Sequence, residues 1–228
     1  MNLKTLLLAV VLVTGQSVFA QSSETRRLDD FRRVSVGESI ELILIEGNKN
    51  EAQIEADGVD ADDVQTRVSG DKLIVEMKNN GKWWKNTDVT VRLTYKQLEG
   101  VSVSSSAEVY NEGVIKANRL VCRASSSGTA DLKVEVDELD VEASSSGRMS
   151  ISGTAERQEV SVSSSGSYNG YDLQSEICEA KASSSGSARI AVSDELRASA
   201  SSSGSIKYKG DPEKLITNSS SSGSVRKS

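Results

Sequence analysis

The chain has 228 residues, of which 36% are hydrophobic, 26% charged and only 4% aromatic, with no histidine and one proline. Lacking histidine, it is excluded from Ser-His-Asp and Cys-His catalysis and from the commonest metal ligation. The formal charge of -6 argues against a nucleic-acid partner, because phosphate binding needs clustered Lys and Arg.

Residues 1–20 read as a secretory signal peptide. Lys4 supplies the charged start, Leu6 to Val13 an apolar run too short to span a bilayer, and Val18-Phe19-Ala20 a cleavage site before Gln21. No cysteine stands directly after the cleavage site and no later segment is apolar enough for a membrane span. The expected location is therefore exported: periplasm, cell surface or extracellular. An exported chain permits disulfides, and there are two cysteines, Cys122 and Cys178.

Residues 21–100 read as a β-rich N-terminal cap continuous with a solenoid over residues 101–228. Phe31-Arg32-Arg33-Val34-Ser35-Val36 and Ile40 to Ile45 are strand-like runs broken at Gly37 and Gly47. Ala52 to Ala56 alternates. Val64 to Val68, a Ser69-Gly70-Asp71 turn and Leu73 to Met77 predict a hairpin, and Val89 to Leu93 a further strand. Between the last two lies Asn79-Asn80-Gly81-Lys82-Trp83-Trp84-Lys85-Asn86, which holds both tryptophans. Adjacent residues on a strand face opposite ways, so one of Trp83 and Trp84 is free to stack on a sugar ring or a partner surface while the other packs inward. The bland alternative has one fill the cap core and the other lie over the loop.

Residues 101–228 repeat. Ser-Ser-Ser-Gly ends at Gly128, Gly147, Gly166, Gly186, Gly204 and Gly223, after a degenerate first copy ending at Ala107. The steps are 21, 19, 19, 20, 18 and 19 residues, too short for helical pairs and suited to one turn of a β-solenoid of three short strands. Taking the Gly as zero, the columns four before (Val103, Ala124, Ala143, Val162, Ala182, Ala200, Ser219), six before and two after are small or apolar. Alternation then puts the even columns inside, including the serines two before zero, and the odd columns outside. Serines three and one before zero would form two outward hydroxyl ladders on a flat face, open to glycan or to another solenoid, or simply solvated. Seven rungs at ~4.8 Å give a stack of roughly 29 Å. Cys122 and Cys178 fall three rungs apart, roughly 14 Å, beyond disulfide reach, so both are expected as buried free thiols.

Ten places before zero stand Asn118, Asp137, Glu156, Glu176, Asp194 and Glu213, an acidic column at a corner. Like charges at ~4.8 Å repel, and a Ca²⁺ held by oxygen ligands would relieve this. Arg119, Arg157 and Lys214 lie one position along and offer neutralisation instead, and no Asp-x-Asp-x-Asp-Gly loop is present. Asp140, Glu159 and Glu179 stack on another outward column. A glycosidase needs two unequal carboxylates, and nothing in the pattern makes these unequal, so no catalytic residues are assigned.

The segment Asp30-Phe31-Arg32-Arg33-Val34-Ser35-Val36-Gly37, the hairpin Val68-Ser69-Gly70-Asp71-Lys72-Leu73-Ile74-Val75 and the Ser/Gly-punctuated rungs resemble the auto-transporter adhesin head-domain family, also called the head GIN domain family. The resemblance implies a right-handed single-stranded β-helix and an adhesin role at the cell envelope, and brings no catalytic residues. The Gly-Ile-Asn triplet itself is replaced here by Ser-Ser-Ser-Gly, and no translocator barrel is present in the sequence. Taken together, the expectation is an all-β, right-handed parallel solenoid of about seven rungs with a β-rich cap. Its expected role is a non-enzymatic adhesin-like module contacting glycan or cell-surface protein, with no cofactor, calcium at the acidic column standing as the alternative to a solvated charged corner. The alternatives are a self-assembling envelope protein, since the last rung (Ile216 to Ser228) carries no obvious cap and invites end-to-end homo-oligomers, and a polysaccharide lyase or hydrolase.

Overall fold

The computed structural model describes residues 22–78 and 87–228. These residues are all-β, a solenoid of about seven turns. The N-terminal strands are β1 (Ser22–Arg27), β2 (Arg33–Val36), β3 (Glu41–Glu46), β4 (Glu51–Asp57), β5 (Val64–Ser69), β6 (Lys72–Met77) and β7 (Asp88–Tyr95). Then come β8 (Gly100–Val103), β9 (Glu108–Glu112) and β10 (Ile115–Ala124), succeeded by the long strands β11 (Thr129–Ala143), β12 (Arg148–Val162), β13 (Ser167–Ala182) and β14 (Ser187–Ala200). β15 (Ser205–Lys209), β16 (Lys214–Ser219) and β17 (Ser224–Lys227) complete the chain.

From residue 100 onward each rung lies in parallel on the one before, as the period requires. The rungs are not built from three short strands. β11, β12 and β13 each run about fifteen residues, and β12 pairs with β11 from Arg148 to Val162 almost without interruption. The rung is one bent strand closed by one tight turn, because its second corner stays extended and interrupts the ladder at only one residue. The expected hairpin forms, with Val64 opposite Met77 and Ser69 opposite Lys72. The rung order at this end is not the chain order. β2 lies between β6 and β8, and β3 between β7 and β9, all in parallel. The first rung made by the chain is thus inserted beneath the second. Antiparallel strands β5 on one face, and β4 with β1 on the other, flank this end of the stack.

The core is one continuous column of apolar side chains. Near the N-terminal end it is filled by Ile40, Leu42, Leu44, Ile54, Leu73 and Leu93, all buried. Along the repeats the inward columns hold Ala124, Ala143, Ala180, Ala182 and Ala200 with Val141, Val160 and Leu196. Cys122 and Cys178 are buried in the same interior and unpaired.

The serine turn departs from strict alternation. The serines two and one before zero are exposed, and both have positive φ, for instance 48° and 63° at Ser145 and Ser146. The Gly147 N–H donates to the Ser144 carbonyl at 2.7 Å. Two successive left-handed residues closed by such a bond make a type I′ turn, the hairpin turn whose twist suits β-strands. The serines two before zero therefore point out, not in: a turn residue escapes the period-two rule that holds only along a strand. Those three before zero are half-buried in every rung but the last, where Ser220 is exposed, so the hydroxyls form a ridge at a corner and not a flat face. Glu38 and Ser39 make the same left-handed pair one rung earlier. The turns stack by backbone: the Ser127, Ser146 and Ser165 N–H groups donate to the Ser145, Ser164 and Ser184 carbonyls, each at 3.1 Å.

Candidate functional site

Opposite the serine ridge each rung bends a second time. At this bend one residue per rung drops out of the ladder. Pairing passes from Val136–Ala155 to Glu138–Arg157, leaving Asp137 and Glu156 unpaired, and the next rung skips Glu176 in the same way. The bend is concave, and over five rungs it forms a groove of about 840 Å³ running along the solenoid axis. Three columns build it. The floor is Val136, Ala155, Ser175, Val192 and Gly210; one wall is Glu135, Thr154, Gln174, Ala191 and Lys209; the other is Asp137, Glu156, Glu176, Ser193 and Asp211.

A buried polar network lies beneath the floor. Gln158 is fully buried in a column otherwise filled by Leu120, Leu139, Cys178 and Leu196. Its Nε2 donates to Ser175 Oγ at 2.6 Å, and the buried Tyr168 hydroxyl donates to its Oε1 at 3.3 Å. Ser175 Oγ in turn donates to the Ala191 carbonyl at 2.8 Å. Each member has a partner, so burial is tolerated, and the network ties three successive rungs together under the groove.

The acidic wall is the predicted acidic column in part. Asp137, Glu156 and Glu176 line the groove; Asp194 and Glu213 do not. The expected neutralisation by neighbouring cations does not occur. Arg119 turns to Asp140 at 2.5 Å and Lys214 to Glu195 at 3.1 Å. Among the described residues no ion pair reaches Asp137, Glu156 or Glu176, whereas Glu135 pairs with Lys116 at 2.9 Å and Asp211 with Lys227. Lys209, the one cation in the lining, holds its Nζ 4.2 Å from the Tyr171 ring centroid, an arrangement stabilised by the ring's negative face. The cations pair along the flanking columns, across registered strands as in Lys116–Glu135 and Lys214–Glu195 or two places along one strand as in Lys181–Glu179, while the bend residues line the concavity. No three acidic or thiol side chains among the described residues are placed to hold a metal ion.

The column of Asp140, Glu159 and Glu179 stacks in register. A hydrogen bond from Lys181 at 2.7 Å holds the Glu179 carboxyl below its ordinary range, the opposite of what a general acid needs. Trp83 and Trp84 lie outside the described residues. Sequence reading missed the groove floor, Gln158 and Lys209. The visible signal was the polar Gln158 at an inward position; the concavity itself had none.

A family model described as "Putative auto-transporter adhesin, head GIN domain" matches residues 30–212. The chain belongs to this family. Among solved structures, a "putative adhesin" from Bacteroides fragilis NCTC 9343 superposes with a TM-score of 0.82 at 18% identity, covering 92% of this chain and 97% of that one. A "putative adhesin" from Parabacteroides merdae ATCC 43184 gives 0.71 at 20%, covering 91% and 96%. A "putative lipid binding protein" from Parabacteroides distasonis ATCC 8503 gives 0.70 at 22%, covering 91% and 97%. At such identities the likeness carries the fold. No match was found among curated proteins. Membership of this head-domain family points to an adhesin-like role and an exported or surface protein. Among the described residues no helix is long and apolar enough to cross a membrane.

Proposed function

We propose that the protein is a non-enzymatic binding module of the bacterial cell envelope, exported by its first 20 residues, which captures its partner in the axial groove. The observation that carries this reading is the groove itself. Its volume of about 840 Å³ lies in the range of ligand sites, its floor is closed by small and apolar residues, and three carboxylates of its acidic wall have no ion pair among the described residues. The Trp83–Trp84 loop is a second contact proposed from sequence alone. The test is binding of residues 22–228 to an array of glycans and envelope polymers. A double variant, Thr154→Met with Ala191→Met, fills the groove without adding charge or a ring, and Trp83→Ala with Trp84→Ala removes the loop contact. Loss of the hits in the first variant supports the groove; hits that survive it and vanish in the second move the site to the loop.

Self-assembly is a second reading. Leu215 and Ile216 on β16 are the large hydrophobics left exposed among the described residues, at 46% and 45%. Leu215 continues the inward column of Leu196, which is fully covered. Such an edge invites pairing with a second copy. Light scattering across a concentration series checks it: association that disappears in Leu215→Lys supports it, and a monomer throughout sinks it.

A further inference from the structure

We infer that the groove takes a linear oligoammonium ligand, a chain of amines about 5 Å apart lying along the solenoid axis. This rests on the groove being the binding site and names the chemistry it accepts.

Three features of the molecule converge. The first is direction. The groove runs across the strands, so an extended peptide lying in it would find no sheet edge with which to pair its backbone. Its occupant sees instead a ladder repeated at the rung spacing of ~4.8 Å.

The second is charge. Asp137, Glu156 and Glu176 stand on three successive rungs with no ion pair among the described residues, while Glu138, Asp140, Glu142, Glu179 and Glu195 on neighbouring columns are all paired. Three-carbon spacers between amines put positive centres about 5 Å apart, which matches one charge per rung. The carboxylates do not converge on a metal site, and calcium asks for six to eight oxygens around one point. A row of separate cations fits where a single ion does not.

The third is the floor and what it lacks. Val136, Ala155 and Val192 at the floor belong to the core and are only 6%, 5% and 3% exposed, so the floor closes the groove without adding much apolar surface, and no aromatic side chain lines it. A neutral glycan would lose the ring stacking on which sugar recognition leans. Lys209 is turned to Tyr171, so the lining's own cation does not occupy the acidic wall.

Two sources share this chemistry: free polyamines and de-N-acetylated amino-glycan chains. Calorimetry of residues 22–228 at low salt, with spermidine in one arm and a glucosamine tetramer in the other, separates them. Saturable binding in either arm is expected. It should weaken at least tenfold in Asp137→Asn/Glu156→Gln/Glu176→Gln, weaken severalfold in Glu156→Gln alone, and stay unchanged in Glu108→Gln, an exposed carboxylate outside the groove. Circular dichroism shows whether the variants fold; since the three carboxylates are unpaired, thermal stability should hold or rise. Equal binding by the triple variant, by the fully N-acetylated tetramer, or no binding in both arms overturns the inference. If amines fail while the groove-filling variant still loses its array hits, the groove remains the site and only the ligand class falls. Loss of neither sinks both.

Discussion

The two ends of this solenoid hold the same register by different means. In the rungs of β2–β3 and β6–β7, bulk decides: Leu42, Leu44, Leu73 and Leu93 fill the interior, and the place equivalent to the repeat glycine holds Ile40, buried and accommodated. In the serine repeats, backbone closeness decides. A Cβ at Gly128 would come within 2.8 Å of the Val103 carbonyl, and one at Gly147 or Gly166 would land on the carbonyl of Ala124 or Ala143 in the rung before. Ala107, at the head of the repeats, still carries a side chain there and is fully buried. Side-chain packing sets a rung's position softly; backbone contact sets it sharply, at the expense of any residue but glycine.

That contrast is open to measurement by urea denaturation. Leu42→Ala in the bulky end should cost about 2–5 kcal/mol, as expected for a cavity in a filled core. Gly166→Ala in the tight end should cost about 1–3 kcal/mol through overpacking, while Ala107→Gly costs under about 1 kcal/mol. Equal effects for the two Gly/Ala exchanges would break the comparison.

Alkaline unfolding sharpens it next, because buried acids sit in both regions. Burial pushes the Cys122 thiol from 9.0 up to about 12 and the Tyr95 hydroxyl from 10.0 up to about 12, with Glu46 adding to the latter. The folded state holds these groups protonated, so their stability contribution is complete below pH 9 and is lost as pH rises toward 12. Stability should fall from about pH 9 upward, with Cys122→Ala flattening the first part of the fall and Tyr95→Phe the second. Thiol reagents at pH 8 should leave both cysteines unmodified until the protein unfolds.

The smallest expected effect lies in the turns, where the two regions share a backbone conformation. Left-handed Ser-Ser is a strained choice for a type I′ turn, which favours Asn-Gly. Ser145→Asn with Ser146→Gly should raise stability by about 0.5–1 kcal/mol. Glu38→Asn, one rung before the repeats, should gain less, because the Glu38 carboxylate accepts a hydrogen bond from the Met77 N–H at 2.6 Å. A loss of stability in the serine variant would mean that the hydroxyls make contacts the turn geometry does not require.

The parts of the fold that were legible are those written locally and repeatedly. Six returns of Ser-Ser-Ser-Gly at nearly constant spacing determine a solenoid, and the apolar columns four and six before each glycine determine which strand face lies inside. The hairpin around Gly70 was legible for the same reason. The serines two before each glycine misled because alternation was extended into a turn. Their φ is fixed by turn closure, which composition does not reveal. The acidic column could be counted out, but not its isolation: whether Arg119 reaches Asp137 or Asp140 depends on which residue the bend leaves out of the ladder.

The sequence by itself determined that this chain is an exported-looking β-solenoid of the adhesin head-domain kind, without the residues of histidine-based catalysis. Period, alternation and composition are properties of neighbours along the chain, so they survive in one dimension. Only the tertiary structure decided that β2–β3 slips beneath β6–β7, that the second bend is concave, and that Asp137, Glu156 and Glu176 line a groove with no ion pair to them among the described residues. Those outcomes depend on pairings between distant residues, and their energies exist only once the rungs are stacked.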